Sequence, residues 1–148
     1  MSAKVWFRVS SILLLLFAVG HTFGFLNFRG STPESVAVRA SMDAVHFPAS
    51  PGGAATLSFG GFYLGFGLFI SAAFVFAAWV AWKLGTMAAR GDASPDVAAL
   101  GWGMAALMLF NVALSVRYFS GAPVVLSVVA VICLATATWL ARRRATAD

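Results

Sequence analysis

The stretch from Leu57 to Trp82, LSFGGFYLGFGLFISAAFVFAAWVAW, contains no Asp, Glu, Lys or Arg. At about 1.5 Å per helical residue it outruns the roughly 30 Å hydrocarbon core of a bilayer. A helix on the surface of a soluble domain keeps a polar face, and this one is apolar all round. It predicts a transmembrane helix, and three other stretches share its character: about 9–28, 97–116 and 123–141. Four such spans use more than half of the 148 residues and leave no room for a separate soluble domain. The expectation is a single all-α membrane domain over 1–148, a four-transmembrane-helix bundle of up-down topology. Only 10% of the residues are charged, against about a quarter in soluble chains.

The lead, MSAKVWFR, carries Lys4 and Arg8. Two readings of it stay open. Lys4 and Arg8 could be the n-region of a signal peptide, with Ile12–Val19 as its apolar core and Ala18-Val19-Gly20 as a small-x-small cleavage site. The apolar run continues past Gly20 to Phe28, however, as an uncleaved spanning helix should. Residues 29–53 form the long polar connection. Within it Ser31-Thr32-Pro33-Glu34 reads as a helix start, with a hydroxyl cap, an early Pro and an acid in the first turn. A short amphipathic helix over about 33–45, lying on the membrane surface, is predicted; an irregular loop is the competing reading. Pro48, Pro51, Gly52 and Gly53 close the segment. KLGTMAARGDASPD, from Lys83 onward, reads as a polar connection ending in a Ser94-Pro95-Asp96 helix start. Arg117 to Pro123 reads as a tight turn.

Four spans put both termini on one side. Lys4, Arg8, Lys83, Arg90, Arg142, Arg143 and Arg144 then share that side, against Arg29, Arg39 and Arg117 on the other. Basic residues collect in cytoplasmic loops, so both termini are expected in the cytoplasm. The same cause accounts for the net charge of +5 without a nucleic-acid partner. Under this topology Trp6, Trp79, Trp82, Trp102 and Trp139 lie toward the cytoplasmic interface, and Tyr63 and Tyr118 toward the outer one. Amphipathic rings belong at interfaces.

Gly20 and Gly24 in the first span, and Gly61 and Gly65 in the second, are GxxxG pairs at about matched depth. They predict close approach of these two helices. A Phe59, Phe62, Phe66 and Phe69 stripe runs beside them and reads as lipid-facing or packed core. The same depth collects polar side chains: His21, Thr22 and Asn27 from the first span, Ser58 and Tyr63 from the second, and Asn111, Ser115, Arg117 and Tyr118 from the third. A polar group inside a bilayer must find a partner, and an ionisable one marks a functional candidate. The candidate cluster is therefore His21, Thr22, Tyr63, Asn111, Ser115 and Arg117. His21 leads it, with Tyr63, Asn111 and Ser115 as the partners expected for its ring. The competing reading makes His21 and Asn111 helix glue. Arg117 is expected to meet a loop carboxylate or a lipid phosphate.

The absences narrow the chemistry. No Asp or Glu lies within a span, which disfavours a proton-coupled exporter built on a membrane-embedded acid. Two histidines without HExxH or His-box spacing leave a zinc or di-iron enzyme short of ligands, so no metal site and no cofactor are predicted. Cys133 is the lone cysteine and forms no intrachain disulfide. No phosphate-cradling Gly loop or nucleophile elbow occurs.

Gly20-His21-Thr22, Phe62-Tyr63-Leu64-Gly65-Phe66-Gly67, and Asn111 followed by Arg117-Tyr118-Phe119 and Ala122-Pro123 resemble a family of small uncharacterised bacterial integral membrane proteins, over about residues 5–135. The resemblance implies a four-helix membrane domain and a bacterial source. It draws attention to His21, Tyr63 and Asn111 and implies no catalytic role, since that family has no assigned activity.

The leading functional expectation is a non-catalytic protein of the bacterial cytoplasmic membrane that binds lipid or an apolar small molecule, or joins a membrane partner or a second copy of itself. The lack of paired acid and base groups points away from an enzyme. The alternative is a small membrane enzyme or carrier that handles an apolar substrate through His21 in the outer leaflet. Topology is directly testable. Reporter fusions after residue 148 and within 83–95 should report cytoplasm, and a fusion near Ala49 the outer side; an outer C-terminus would refute the arrangement.

Overall fold

Each long apolar stretch folds as a helix, because a helix satisfies its own backbone hydrogen bonds where no water can. The structure, a computed structural model, describes residues 2–27, 31–91, 95–119 and 121–145, with side chains to Arg143. Phe28, Arg29, Ser94, Ser120 and the Arg144 side chain, which entered the reading of span ends, caps and charge, lie outside the described residues. In order the elements are α1 (Ala3–Leu26), α2 (Pro33–Ala44), β1 (His46–Phe47), β2 (Leu57–Ser58), α3 (Phe59–Ala89), α4 (Pro95–Tyr118) and α5 (Ala122–Ala145). The fold is all-α, and four of the helices are long and apolar enough to cross a membrane, as an integral membrane protein requires. Between 22% and 39% of each apolar window is buried within the chain, so most of that surface faces outward, a distribution suited to lipid rather than water.

The helices run past the expected span ends. α1 takes in Lys4 and Arg8, and α5 continues beyond Ala141. α3 goes on through Lys83-Leu84-Gly85-Thr86-Met87-Ala88-Ala89, where a polar connection was expected. Lys, Leu, Met and Ala are strong helix formers, and polarity ends a membrane span without ending a helix. Gly91, with φ +79°, supplies the left-handed residue that stops it. α2 matches the expected short helix and excludes the irregular loop over 33–44. Thr32 is its N-cap and forms a capping box with Ser35, with Pro33 in the first turn. Backbone bonding and the Thr32 side chain hold the Glu34 carboxyl below the usual carboxylate range. The two-residue antiparallel pairing of β1 with β2, His46 opposite Ser58 and Phe47 opposite Leu57, has no sequence signal in so short a segment.

The chain forms two compact units: residues 1–17 with 74–148, and residues 18–73. The first draws its core from four helices. Phe7 and Leu14 of α1, Leu84 of α3, Val97 of α4 and Leu134 of α5 are almost fully buried. α1 and α3 are antiparallel there. Ser11 Oγ donates to the Ala78 carbonyl at 2.7 Å, and the Phe17 and Phe74 rings stack with centroids 4.2 Å apart. α4 and α5 are also antiparallel. Gly101 packs against the Thr138 side chain near one end, and Asn111 meets Ser127 nearer the other.

The second unit packs α2 and the β pair onto the start of α3. Asp43 lies against Gly60 so closely that a Cβ there would overlap its carboxylate. Phe47 sits 4.9 Å from the Phe59 ring and 6.3 Å from that of Phe62. The Phe59–Phe62–Phe66–Phe69 stripe is exposed. The expected glycine contact is not where α1 meets α3. A Cβ on Gly20, Gly24 or Gly65 would touch nothing within 4 Å, and on Gly61 only Ser58, a residue of its own chain segment. The close approach falls at Gly67, where a Cβ would come within 2.8 Å of the Phe25 ring. The α2 segment occupies the first turns of α3, so α1 meets α3 further along.

Gly101 offers a paired test of helix packing. Gly101→Ala must push Thr138 aside, an overpacking cost of about 1–3 kcal/mol. Gly103→Ala, whose Cβ would meet nothing within 4 Å, should leave the melting temperature in detergent at or above the parent's.

Candidate functional site

The candidate residues divide between the two units, and each set has its own hydrogen-bond network. In the 18–73 unit the node is Ser71, buried on α3. Its hydroxyl donates to the Gly67 carbonyl one turn earlier at 3.1 Å. Thr22 Oγ1 lies 2.8 Å from the same oxygen, and His21 Nδ1 lies 3.1 Å from it. A serine hydroxyl has one proton and two lone pairs. One assignment satisfies all three groups: Ser71 donates to Gly67 and accepts from Thr22 and from His21 Nδ1–H. The imidazole proton then sits on Nδ1 and Nε2 is the bare acceptor, an assignment made from the network. His21 also tilts against the Phe25 ring, centroids 5.3 Å apart.

This corrects the expected partners of His21. The ring meets Ser71, an oxygen it shares with Thr22, and Tyr63 is occupied elsewhere: its ring lies 5.7 Å from the Arg39 guanidinium, which also pairs with Asp43 at 3.4 Å. The register explains the difference. With Phe25 on Gly67, the residue of α3 that comes opposite His21 lies one turn beyond Gly67, and that residue is Ser71. A lone serine in the middle of FGLFISAAF was the available signal.

In the unit of 1–17 and 74–148 the node is Asn111 Oδ1. It accepts from Ser127 Oγ of α5 at 2.9 Å and from Ser115 Oγ, one turn on, at 3.2 Å. Ser115 and Ser127 are buried, and Ser127 also bonds the Pro123 carbonyl at 2.7 Å. Two facing helices of a bundle are joined here by neutral groups with no titratable member. Arg117, exposed on the last turn of α4, lies 5.4 Å from the Tyr118 ring. Ser127 was not among the candidates; its place four residues after Pro123 becomes telling only once α4 and α5 are known to pair.

A shallow recess of about 330 Å³ lies in the 18–73 unit, lined by Thr56, Leu57, Ser58, Gly61 and Phe62. None of the candidate cluster lines it. Among the described residues no group of three or more His, Cys, Asp and Glu could hold a metal ion. Comparison of the chain with protein-family models, with curated proteins and with solved structures finds no match.

The Ser71 node can be probed by subtraction. Ser71→Ala leaves His21 and Thr22 without their shared acceptor, and stability in detergent should fall by about 1 kcal/mol. His21→Gln keeps a donor and an acceptor and should lose less than His21→Ala. Equal melting temperatures for all three variants and the parent would show that the node carries no packing energy.

Proposed function

We propose that the chain is a non-catalytic protein of the bacterial cytoplasmic membrane, with both termini in the cytoplasm, which binds a lipid or an apolar small molecule. The observation that carries this reading is the use of Ser71. With the imidazole proton assigned to Nδ1, the Ser71 proton goes to Gly67 and its oxygen accepts from His21 and Thr22. A serine nucleophile needs the opposite polarity, with its proton directed to a histidine nitrogen acting as base. The His21–Ser71 pair is therefore helix glue, and so is the Asn111 node.

The binding side of the proposal rests on the 18–73 unit. Phe62, Phe66 and Phe69 present exposed rings, 58–70% accessible, beside the recess rimmed by Thr56 and Ser58. Aromatic faces next to a few hydroxyls suit an amphiphile, with its chain on the rings and its polar end at the rim. A membrane-protein partner or a second copy of the chain would use the same surface.

One observation favours the second reading, an enzyme or carrier working through His21. Its Nε2 makes no hydrogen bond among the described residues and is open to the surroundings. One experiment separates the two. The chain is purified in mild detergent, and bound compounds are identified by mass spectrometry and an absorption spectrum. A lipid or apolar compound should be retained, reduced several-fold by Phe62→Ala with Phe66→Ala and unchanged by His21→Gln. Retention that depends on His21 and not on the phenylalanines would overturn the proposal.

A further inference from the structure

The half-buried Arg8, in the unit of 1–17 and 74–148, is a charged group met only by neutral groups among the described residues. Its Cζ lies 3.1 Å over the centre of the Trp82 ring, and Nη2 donates to Thr86 Oγ1 at 3.0 Å. Thr86 in turn donates to the Trp82 carbonyl at 3.1 Å, so its oxygen is free to accept. Nε is buried without a hydrogen-bond partner. It is pressed toward Gly85, where a Cβ would stand 3.5 Å from Nε, 3.3 Å from the Lys4 carbonyl and 3.2 Å from Phe7 Cβ. Nη1 makes no hydrogen bond within the described chain and, unlike Nε, is not shut off from the surroundings. The ion pair among the described residues is Arg39 with Asp43, in the other unit, so among the described residues no carboxylate meets Arg8.

An arginine is charged at every accessible pH, so a partly desolvated guanidinium needs a counter-charge. We propose that Arg8, held by Trp82 and Thr86, binds a phosphate oxyanion, and that the phosphate belongs to the headgroup of an anionic phospholipid. The ring fixes the plane of the fork, and a planar fork is the geometry that grips phosphate oxygens in pairs. Tryptophan belongs at headgroup depth, where that phosphate lies. Lys4 is exposed one turn before Arg8 on α1, and Lys83 is exposed next to Trp82 on α3, its Nζ 5.7 Å from the Trp79 ring. Cations on the neighbouring turns disfavour the choline or ethanolamine of a zwitterionic headgroup and favour a net anion. The site is independent of the phenylalanine surface: it rests only on the chain lying in a membrane.

The test uses the whole chain, delipidated in detergent, and native mass spectrometry with equal amounts of phosphatidylglycerol and phosphatidylcholine. The wild-type chain should prefer phosphatidylglycerol by about tenfold, the weight of a charge-assisted contact. Arg8→Gln should abolish the preference, and Lys4→Gln should lower it by up to about fivefold. Arg8→Lys keeps the charge without the fork and should fall between. Inorganic phosphate in large excess distinguishes the sources. If phosphatidylglycerol stays bound, the lipid is the occupant; if phosphate displaces it and raises the melting temperature through Arg8, the same chemistry serves free phosphate. Should Arg8→Gln fail to fold, the wild-type comparison of the two lipids decides. Equal uptake of both lipids by the wild type, or an undiminished preference in folded Arg8→Gln, would overturn the proposal. Loss of retention on the phenylalanine variants alone would leave this site standing.

Discussion

A hydroxyl in a water-free environment must place its proton, and at several points in this chain it places it on its own helix. Ser10 bonds the Trp6 carbonyl, Ser71 that of Gly67, Thr86 that of Trp82 and Thr138 that of Leu134. Each lies four residues from its partner, the reach of one helical turn. The proton is then settled locally and the oxygen's lone pairs are released toward a neighbouring helix. His21 and Thr22 meet Ser71 in that way, and Arg8 meets Thr86. The same device produces a neutral clasp in one unit and a cation held without an acid in the other.

The aromatic residues complete this arrangement at the ends of the spans. Arg8 stacks on Trp82, Lys83 approaches Trp79 and Arg143 lies 3.6 Å over Trp139, all within the unit of 1–17 and 74–148. Arg39 and Arg117 approach tyrosines instead. A cation on a ring face is favourable in a low-dielectric surround and leaves the cation able to hold an anion as well. A chain with 10 Lys and Arg and 5 Asp and Glu cannot match its cations with acids one for one. Ring faces supply part of that difference.

Much of the architecture was legible because the membrane imposes it. A charge-free run such as 57–82 has no stable alternative to a helix, and Thr32-Pro33-Glu34 carries its own capping chemistry. The helix ends were less legible, since Lys83 to Ala89 is polar in composition and strongly helical in propensity. At the candidate site His21 stood out as the ionisable group of its span, while its partner did not. Which residue of α3 faces His21 depends on register, which shows in Phe25 reaching Gly67 and Phe17 stacking on Phe74. Several glycines and phenylalanines on both helices offer such contacts, and the sequence does not say which of them pair. The GxxxG pairs misled for the same reason: small residues permit close approach, but which ones are used is decided by what already covers the first turns of α3.

The division of the chain into units has a consequence for its synthesis. Residues 18–73 are one continuous stretch, whereas the other unit joins 1–17 to 74–148. A ribosome that has just released Ala73 has supplied everything the first needs: Ser71 can close on His21, and Asp43 on Gly60, while α4 and α5 are still untranslated. The opening of α1 must wait. Phe7 and Ser11 find Gly85 and Ala78 only when the second half of α3 emerges. Assembly that proceeds along the chain would therefore complete residues 18–73 before residues 1–17, which are made ahead of them, are fully buried.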